Sequence, residues 1–318
     1  QRDRPPQTPT RSAPSKTRVF SREPFDLRPL LCLDANVVFQ GQELLFQHVA
    51  VNNVDINLQL KKGDLNVDPL KFSIGGGTAK GTLFVHASKA PLFVATDLIV
   101  DHFDIGPMLK QLGQESSLKG TWNTSIHLDG RGASPAALMA GLNGKIYLDI
   151  HDGQIESKHL AFLERYMGSN VLDLVNPFTK RPSTTTINCL ISTIGIKEGQ
   201  SDIKLILDTE QTALASAGTI DLKTERLNIG IKPTPKKGFG EENVGTISFS
   251  LKELSQPFGL GGTLASPQLV LDPTRTVMTA AKFAGAVVLG PVGLTYFFTN
   301  ISLGKMNICE EATQAMKE

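Results

Sequence analysis

Along most of this chain, apolar residues return at every second position. Ile56, Leu58 and Leu60 alternate with Asn57 and Gln59, and Ile126 and Leu128 flank His127. Ile146, Leu148 and Ile150 repeat the pattern, as do Ile203, Leu205 and Leu207, and then Leu227, Ile229 and Ile231. Period-two alternation places each set on one face of a half-buried strand. The strands are predicted at 65–74, 81–87, 92–98, 184–196, 201–208, 213–222 and 225–232. Further alternation occurs at Ile247–Leu251 and Leu269–Leu271.

One strand unit occurs twice. Lys61-Lys62-Gly63-Asp64 opens a strand, and Gly81 leads the next; Lys197-Glu198-Gly199-Gln200 and Gly218 repeat the arrangement. Tight turns with glycine between alternating runs predict antiparallel hairpins. Asp104–Gly113 reads as a short helix with an acidic start and a glycine stop. Ser134-Pro135 reads as the N-cap and first position of another helix ending near Leu142. The body is therefore expected to be mainly β, one long antiparallel sheet of repeated meander units with a few short helices.

Three stretches break the rhythm. Residues 1–24 are rich in Pro, Arg, Ser and Thr, the composition of a flexible linker ahead of a β-rich domain at 25–276. In 155–176, Leu160, Leu163, Met167, Val171 and Leu174 recur at helical steps, marking a helical insertion. The C-terminal segment 277–318 contains an uncharged run at 283–304, interrupted by Gly290-Pro291 and Gly293. A bilayer span, a helical cap and an interfacial contact all fit that run.

Composition narrows the function. Lys and Arg number 32 against 31 Asp and Glu, so no general polyanion-binding surface is expected and no nucleic-acid partner. Gly75-Gly76-Gly77-Thr78-Ala79-Lys80-Gly81 resembles a phosphate loop only superficially, because Lys80 precedes the glycine and a strand follows. Gly132-Ala133-Ser134 lacks the second glycine of a nucleophile elbow, leaving Ser134 as a helix cap. His151, Asp152 and His159 have no specific metal-ligand spacing. No catalytic residues, metal or cofactor are assigned. The three cysteines, Cys32, Cys189 and Cys309, permit one bridge and a leftover thiol, or three buried thiols.

What remains is the apolar side of the sheet, which must be hidden. A packed sandwich or helix-covered core would do so. A curled sheet whose concave face holds acyl chains would do so differently.

Several phrases carry a family resemblance in order: Arg18-Val19-Phe20, Pro24-Phe25-Asp26-Leu27, Gly130-Arg131-Gly132-Ala133-Ser134-Pro135, Thr186-Ile187-Asn188-Cys189, Gly218-Thr219-Ile220-Asp221-Leu222 and Gly262-Thr263-Leu264-Ala265-Ser266-Pro267. Over 18–318 the chain resembles the C-terminal region of AsmA-like proteins of Gram-negative envelopes. The resemblance implies a taco-shaped periplasmic β-groove with a helical C-terminal cap, and an inner-membrane anchor outside this chain. It implies phospholipid carried between the inner and outer membranes, with Ile56, Leu58, Leu60, Ile126, Leu128, Ile146, Leu148, Ile150, Leu205, Leu207, Leu227, Ile229 and Ile231 as the lipid-facing set. It further implies a disulfide between Cys189 and Cys309, with Cys32 unpaired. The expected partners are phospholipid and, through 283–304, a membrane surface. The alternative is an assembly module for outer-membrane proteins, with such a protein as its partner.

Overall fold

The computed structural model describes residues 18–46, 49–112, 119–156, 184–210, 212–235, 258–270 and 308–317. Thirteen strands form one antiparallel sheet in strict sequence order, not closed into a barrel. They are β1 (Ala35–Phe46), β2 (Val49–Lys61), β3 (Asp64–Ile74), β4 (Gly77–His86), β5 (Leu92–Asp104), β6 (Lys119–Gly132) and β7 (Asn143–Glu156). They continue as β8 (Thr184–Lys197), β9 (Gln200–Thr209), β10 (Thr212–Asp221), β11 (Arg226–Pro235), β12 (Phe258–Thr263) and β13 (Ser266–Val270).

Among the described residues four short helices accompany the sheet: α1 (Arg28–Leu31), α2 (Ile105–Gln111), α3 (Pro135–Ala140) and α4 (Ile308–Lys317). Two caps fall where the sequence places them. Asp104 accepts from the Gly106 N–H at 2.9 Å, and Ser134 Oγ accepts from the Ala137 N–H at 3.2 Å. The predicted insertion enters the described chain only at Ile155 and Glu156, which belong to β7. The rest of it, the strand expected at Ile247–Leu251 and the run 283–304 lie outside the described residues.

The two copies of the repeated unit are structurally equivalent. Lys62 and Gly63 take φ of 51° and 85°, and Glu198 and Gly199 take 49° and 74°. Two consecutive left-handed residues define the hairpin turn whose twist matches the flanking strands. The Gly63 carbonyl accepts from the Ala87 N–H at 2.9 Å, and the Gly199 carbonyl from the Leu222 N–H at 2.8 Å. Each turn is thus tied to the strand pair that follows it.

Curvature comes from the second glycine of each unit. A Cβ on Gly81 would overlap the Asp97 carbonyl oxygen on β5, and one on Gly218 would overlap the Asn228 carbonyl oxygen on β11. Gly81 pairs with Leu70 and Leu98, and Gly218 with Ile203 and Ile229, so both point to the apolar side. A neighbouring backbone that occupies the Cβ position has folded toward that side. The sheet therefore curls with its apolar face concave.

Gly218→Ala should lower stability by about 1–3 kcal/mol, the usual penalty of overpacking. Gly195→Ala is the matched control, because nothing lies within 4 Å of its Cβ position. It should stay within about 0.5 kcal/mol of the parent. Denaturant unfolding of the two variants checks this; equal losses would contradict the close-approach explanation.

Candidate functional site: an uncharged concave face

Register carries one face across the sheet. Ile56, Leu58 and Leu60 oppose Leu70, Val67 and Leu65. These lead through Gly81, Leu83 and Val85 to Leu98, Thr96 and Val94, and on to Ile126, Leu128 and Gly130. Ile126 opposes Ile146, and Leu148 and Ile150 oppose Ser192 and Leu190 on β8. The path continues through Leu205 and Leu207 to Ser216 and Leu214, and then to Ile229 and Ile231 beside Leu227. All thirteen residues read from the sequence as the apolar set thus stand on one concave surface.

No position along this path carries a charge. Four hydroxyls of this face are turned back into the sheet: Thr96 Oγ1 donates to the Thr82 carbonyl at 2.9 Å, Thr124 Oγ1 to Tyr147 at 2.7 Å, Ser192 Oγ to Lys204 at 3.0 Å and Ser201 Oγ to Ile220 at 2.8 Å. Polar groups satisfied by the backbone leave an apolar surface. Leu60, Ile150 and Leu227 are buried, while the other ten of the set remain half-exposed. Among the described residues each strand packs chiefly on its neighbours in the meander, and no second sheet lies against it.

The ends of the face differ. At the rim where β6 turns into β7, α3 lies over the concave side. Leu138 and Leu142 fill the space in front of Gly130, and the Ala137–Leu138 backbone fills that in front of Gly132. Toward the opposite rim Trp122 pairs with Ile150 on the same face and packs edge-on against Phe103, with ring centroids 6.2 Å apart.

The convex face is polar over most of its width. Asp64 with His86, Asp97 with His127, and Asp149 with His151 make close side-chain pairs there. His151 Nε2 lies 2.6 Å from Asp149, and no group of three metal-ligating side chains gathers among the described residues.

One convex patch is apolar, and alternation did not reveal it. Cys189, Ile191, Ile206, Ala213, Ala215 and Ala217 are fully buried beneath α4, which sets Ile308, Ala312 and Met316 upon them at four-residue spacing. The helix lies against β8 and β9. The Cys189–Cys309 disulfide fastens α4 across 120 residues of sequence, while Cys32 is free and exposed. The available signal was continuity: Cys189–Ile191 and Leu205–Leu207 are unbroken apolar runs, the mark of strands covered on both faces. Tyr147 borders this patch, its hydroxyl pushed up to about 12 first by burial and then by Asp149.

The AsmA family profile matches residues 1–206. This chain belongs to the AsmA family. It is 22% identical over 306 residues to the AsmA family protein YhjG of Escherichia coli (strain K12), covering 95% of the chain and 42% of that protein. The chain thus spans less than half the length of this relative. No solved structure matches it significantly. AsmA membership and the large antiparallel sheet fit a periplasmic envelope protein, and AsmA family proteins are not known as enzymes. Among the described residues no helix is long and apolar enough to cross a membrane.

Two outcomes follow for the α4 patch. Cys309→Ala should destabilise the chain by roughly 2–4 kcal/mol, the usual worth of a long-loop disulfide. It should also raise amide exchange across α4 in hydrogen-exchange mass spectrometry. Tyr147 has a raised folded-state pKa, so its contribution is complete below about pH 10, the unfolded value. It is lost as pH rises toward about 12, the folded value. Tyr147→Phe should flatten that alkaline loss of stability, as read by thermal melts between these limits.

Proposed function

We propose that this AsmA chain is a non-enzymatic lipid-binding module that holds phospholipid acyl chains in its concave groove. It would serve lipid transport between inner and outer membranes and outer-membrane homeostasis. One observation carries this reading: an uncharged apolar strip, largely half-exposed, runs unbroken from β2 to β11. Nine strand spacings make it roughly 43 Å long around the curl. Along β7 the strip extends from Gly144 to Ile150, about 20 Å in height. That height exceeds the hydrocarbon depth of one leaflet, half of the ~30 Å bilayer core. Acyl chains lying along the strands would be covered over their length, with head groups at the rims.

The thirteen apolar residues are the proposed lipid contacts. In the same reading, the segment 283–304 meets the membrane surface, and an anchor beyond this chain holds it at the inner membrane.

A second reading has its own observation. Among the described residues β1 is an edge strand: twelve residues without Lys or Pro, with Val38 66% and Leu45 70% exposed. Such an edge suits strand addition by an outer-membrane protein during assembly.

Trp122 is the chain's single tryptophan and pairs across the concave face with Ile150. Vesicles of phosphatidylethanolamine and phosphatidylglycerol with brominated acyl chains should quench its fluorescence. Leu148→Glu and Ile229→Glu should reduce the quenching at least several-fold while the far-ultraviolet circular dichroism stays that of a sheet. Quenching that ignores both substitutions, or phospholipid-free protein after gentle purification, would refute the lipid reading. Retained binding of an outer-membrane strand peptide under those conditions, lost in Val38→Lys, would favour the edge reading.

A further inference from the structure

Residues 18–34 run along one rim of the sheet and touch three of its hairpin ends in turn. The Val19 and Phe20 N–H groups donate to the two carboxylate oxygens of Glu225, at 2.7 and 3.1 Å, in the β10–β11 turn. Arg18 donates to the Lys223 carbonyl at 3.4 Å. The Ser21 carbonyl then accepts from the Ala136 N–H at 2.9 Å, and the Phe25 N–H donates to the Ala133 carbonyl at 3.0 Å, both at the β6–β7 end. Leu31 abuts Gly63, and Asp34 accepts from the Lys62 N–H at 2.7 Å at the β2–β3 turn. Only then does the chain enter β1.

Spacing decides what this path does. The β6–β7 and β10–β11 ends are four strand spacings apart, about 19 Å on a flat sheet. Phe20 and Ser21 are consecutive residues, yet one contacts each end. The segment therefore ties the two ends to each other where it crosses the rim, by way of α3, whose Ala140 carbonyl also abuts Gly199 in the β8–β9 turn.

Glu225 is built for the purpose. Its side chain is 1% exposed, its φ is 61°, and its carbonyl accepts from the Leu264 N–H in the β12–β13 turn at 2.8 Å. A buried carboxylate needs donors, and the backbone of Val19 and Phe20 supplies them. A left-handed glutamate persists only when its surroundings hold it.

We infer that residues 18–34 form a strap, clasped in cis by the Glu225 carboxylate, that sets the curvature of the groove at this rim. The inference concerns the shape of the sheet and stands whether or not the groove holds lipid.

Spin labels at Ala137→Cys and Lys223→Cys, both exposed, report the gap in a Cys32→Ser background. The experiment is done without lipid on the full chain. Val19→Pro with Phe20→Pro removes both N–H donors without altering the sheet. The expected result is a longer and broader label distance, moving by several ångströms toward the flat-sheet spacing of about 19 Å. A distance distribution that superimposes on the parent's, in a variant with unchanged circular dichroism, overturns the strap. If the double variant does not fold, exchange in the parent decides. Slow exchange at the Val19 and Phe20 amides that becomes at least tenfold faster in Glu225→Gln supports the clasp, and unprotected or unaffected amides refute it.

Discussion

Parity of register is the constraint on which this fold depends. Side chains alternate across a strand, so an uncompensated one-residue slip would send every later apolar residue to the opposite face. Twelve pairings must keep count for the concave face to remain continuous. The sequence does not alternate perfectly, and where it steps by three instead of two the sheet inserts an irregularity. Val51 to Val54, Val67 to Leu70 and Val100 to Phe103 are such steps, and each coincides with a register shift. Asn53 and His102 take left-handed φ at two of them, and Asp68-Pro69 lies at the third. Pro in an inner strand is tolerated at a bulge, where no ladder hydrogen bond is required of it. These irregularities are what preserve the face.

Once parity holds, a uniform strip is unavoidable, and curvature decides how much water it meets. Gly81 and Gly218 let adjacent backbones fold inward, while the segment at 18–34 gathers one rim from outside. The disulfide-fastened α4 acts on the other surface: it covers the one convex patch where β8–β10 are apolar on both sides. Burying a small patch under a short helix needs a fixed geometry, because ten residues are too few to form a stable helix alone. The covalent link supplies that fixation.

Much of this was legible in the sequence, for identifiable reasons. Alternation at Ile56–Leu60, Ile146–Ile150 and Leu227–Ile231 depends only on strand geometry, so the elements and their shared face could be read without tertiary information. The sequential antiparallel order followed from turn residues such as Lys62-Gly63. The Cys189–Cys309 pair could not be read that way, since spacing alone left several arrangements open; family resemblance supplied it. The patch under α4 was missed because attention to alternation hides residues such as Ile191 and Ile206, which lie between members of the apolar set. The anchoring at 18–25 uses backbone N–H and C=O groups, which have no compositional signature. Composition marks that tract as poor in large apolar residues, and it is. What holds residues 18–25 is a buried carboxylate 205 and 206 positions from its two donors, together with backbone groups of Lys223, Ala133 and Ala136.

The open face and the bare edge bear differently on function. The concave strip spans ten strands and carries ten half-buried aliphatic residues on five of them, whereas an ordinary surface scatters its apolar residues singly, and continuous patches mark contact sites. The edge at β1 is one strand wide, and one added strand would satisfy it. Strand addition would leave the concave strip as exposed as before, whereas acyl chains would cover it and leave the edge unchanged. The strip is also the feature that the whole chain maintains, through the register shifts, the close-approach glycines and the inward-turned hydroxyls. The edge is maintained by nothing comparable. On those grounds the groove, rather than the edge, is the surface around which this AsmA chain is organised.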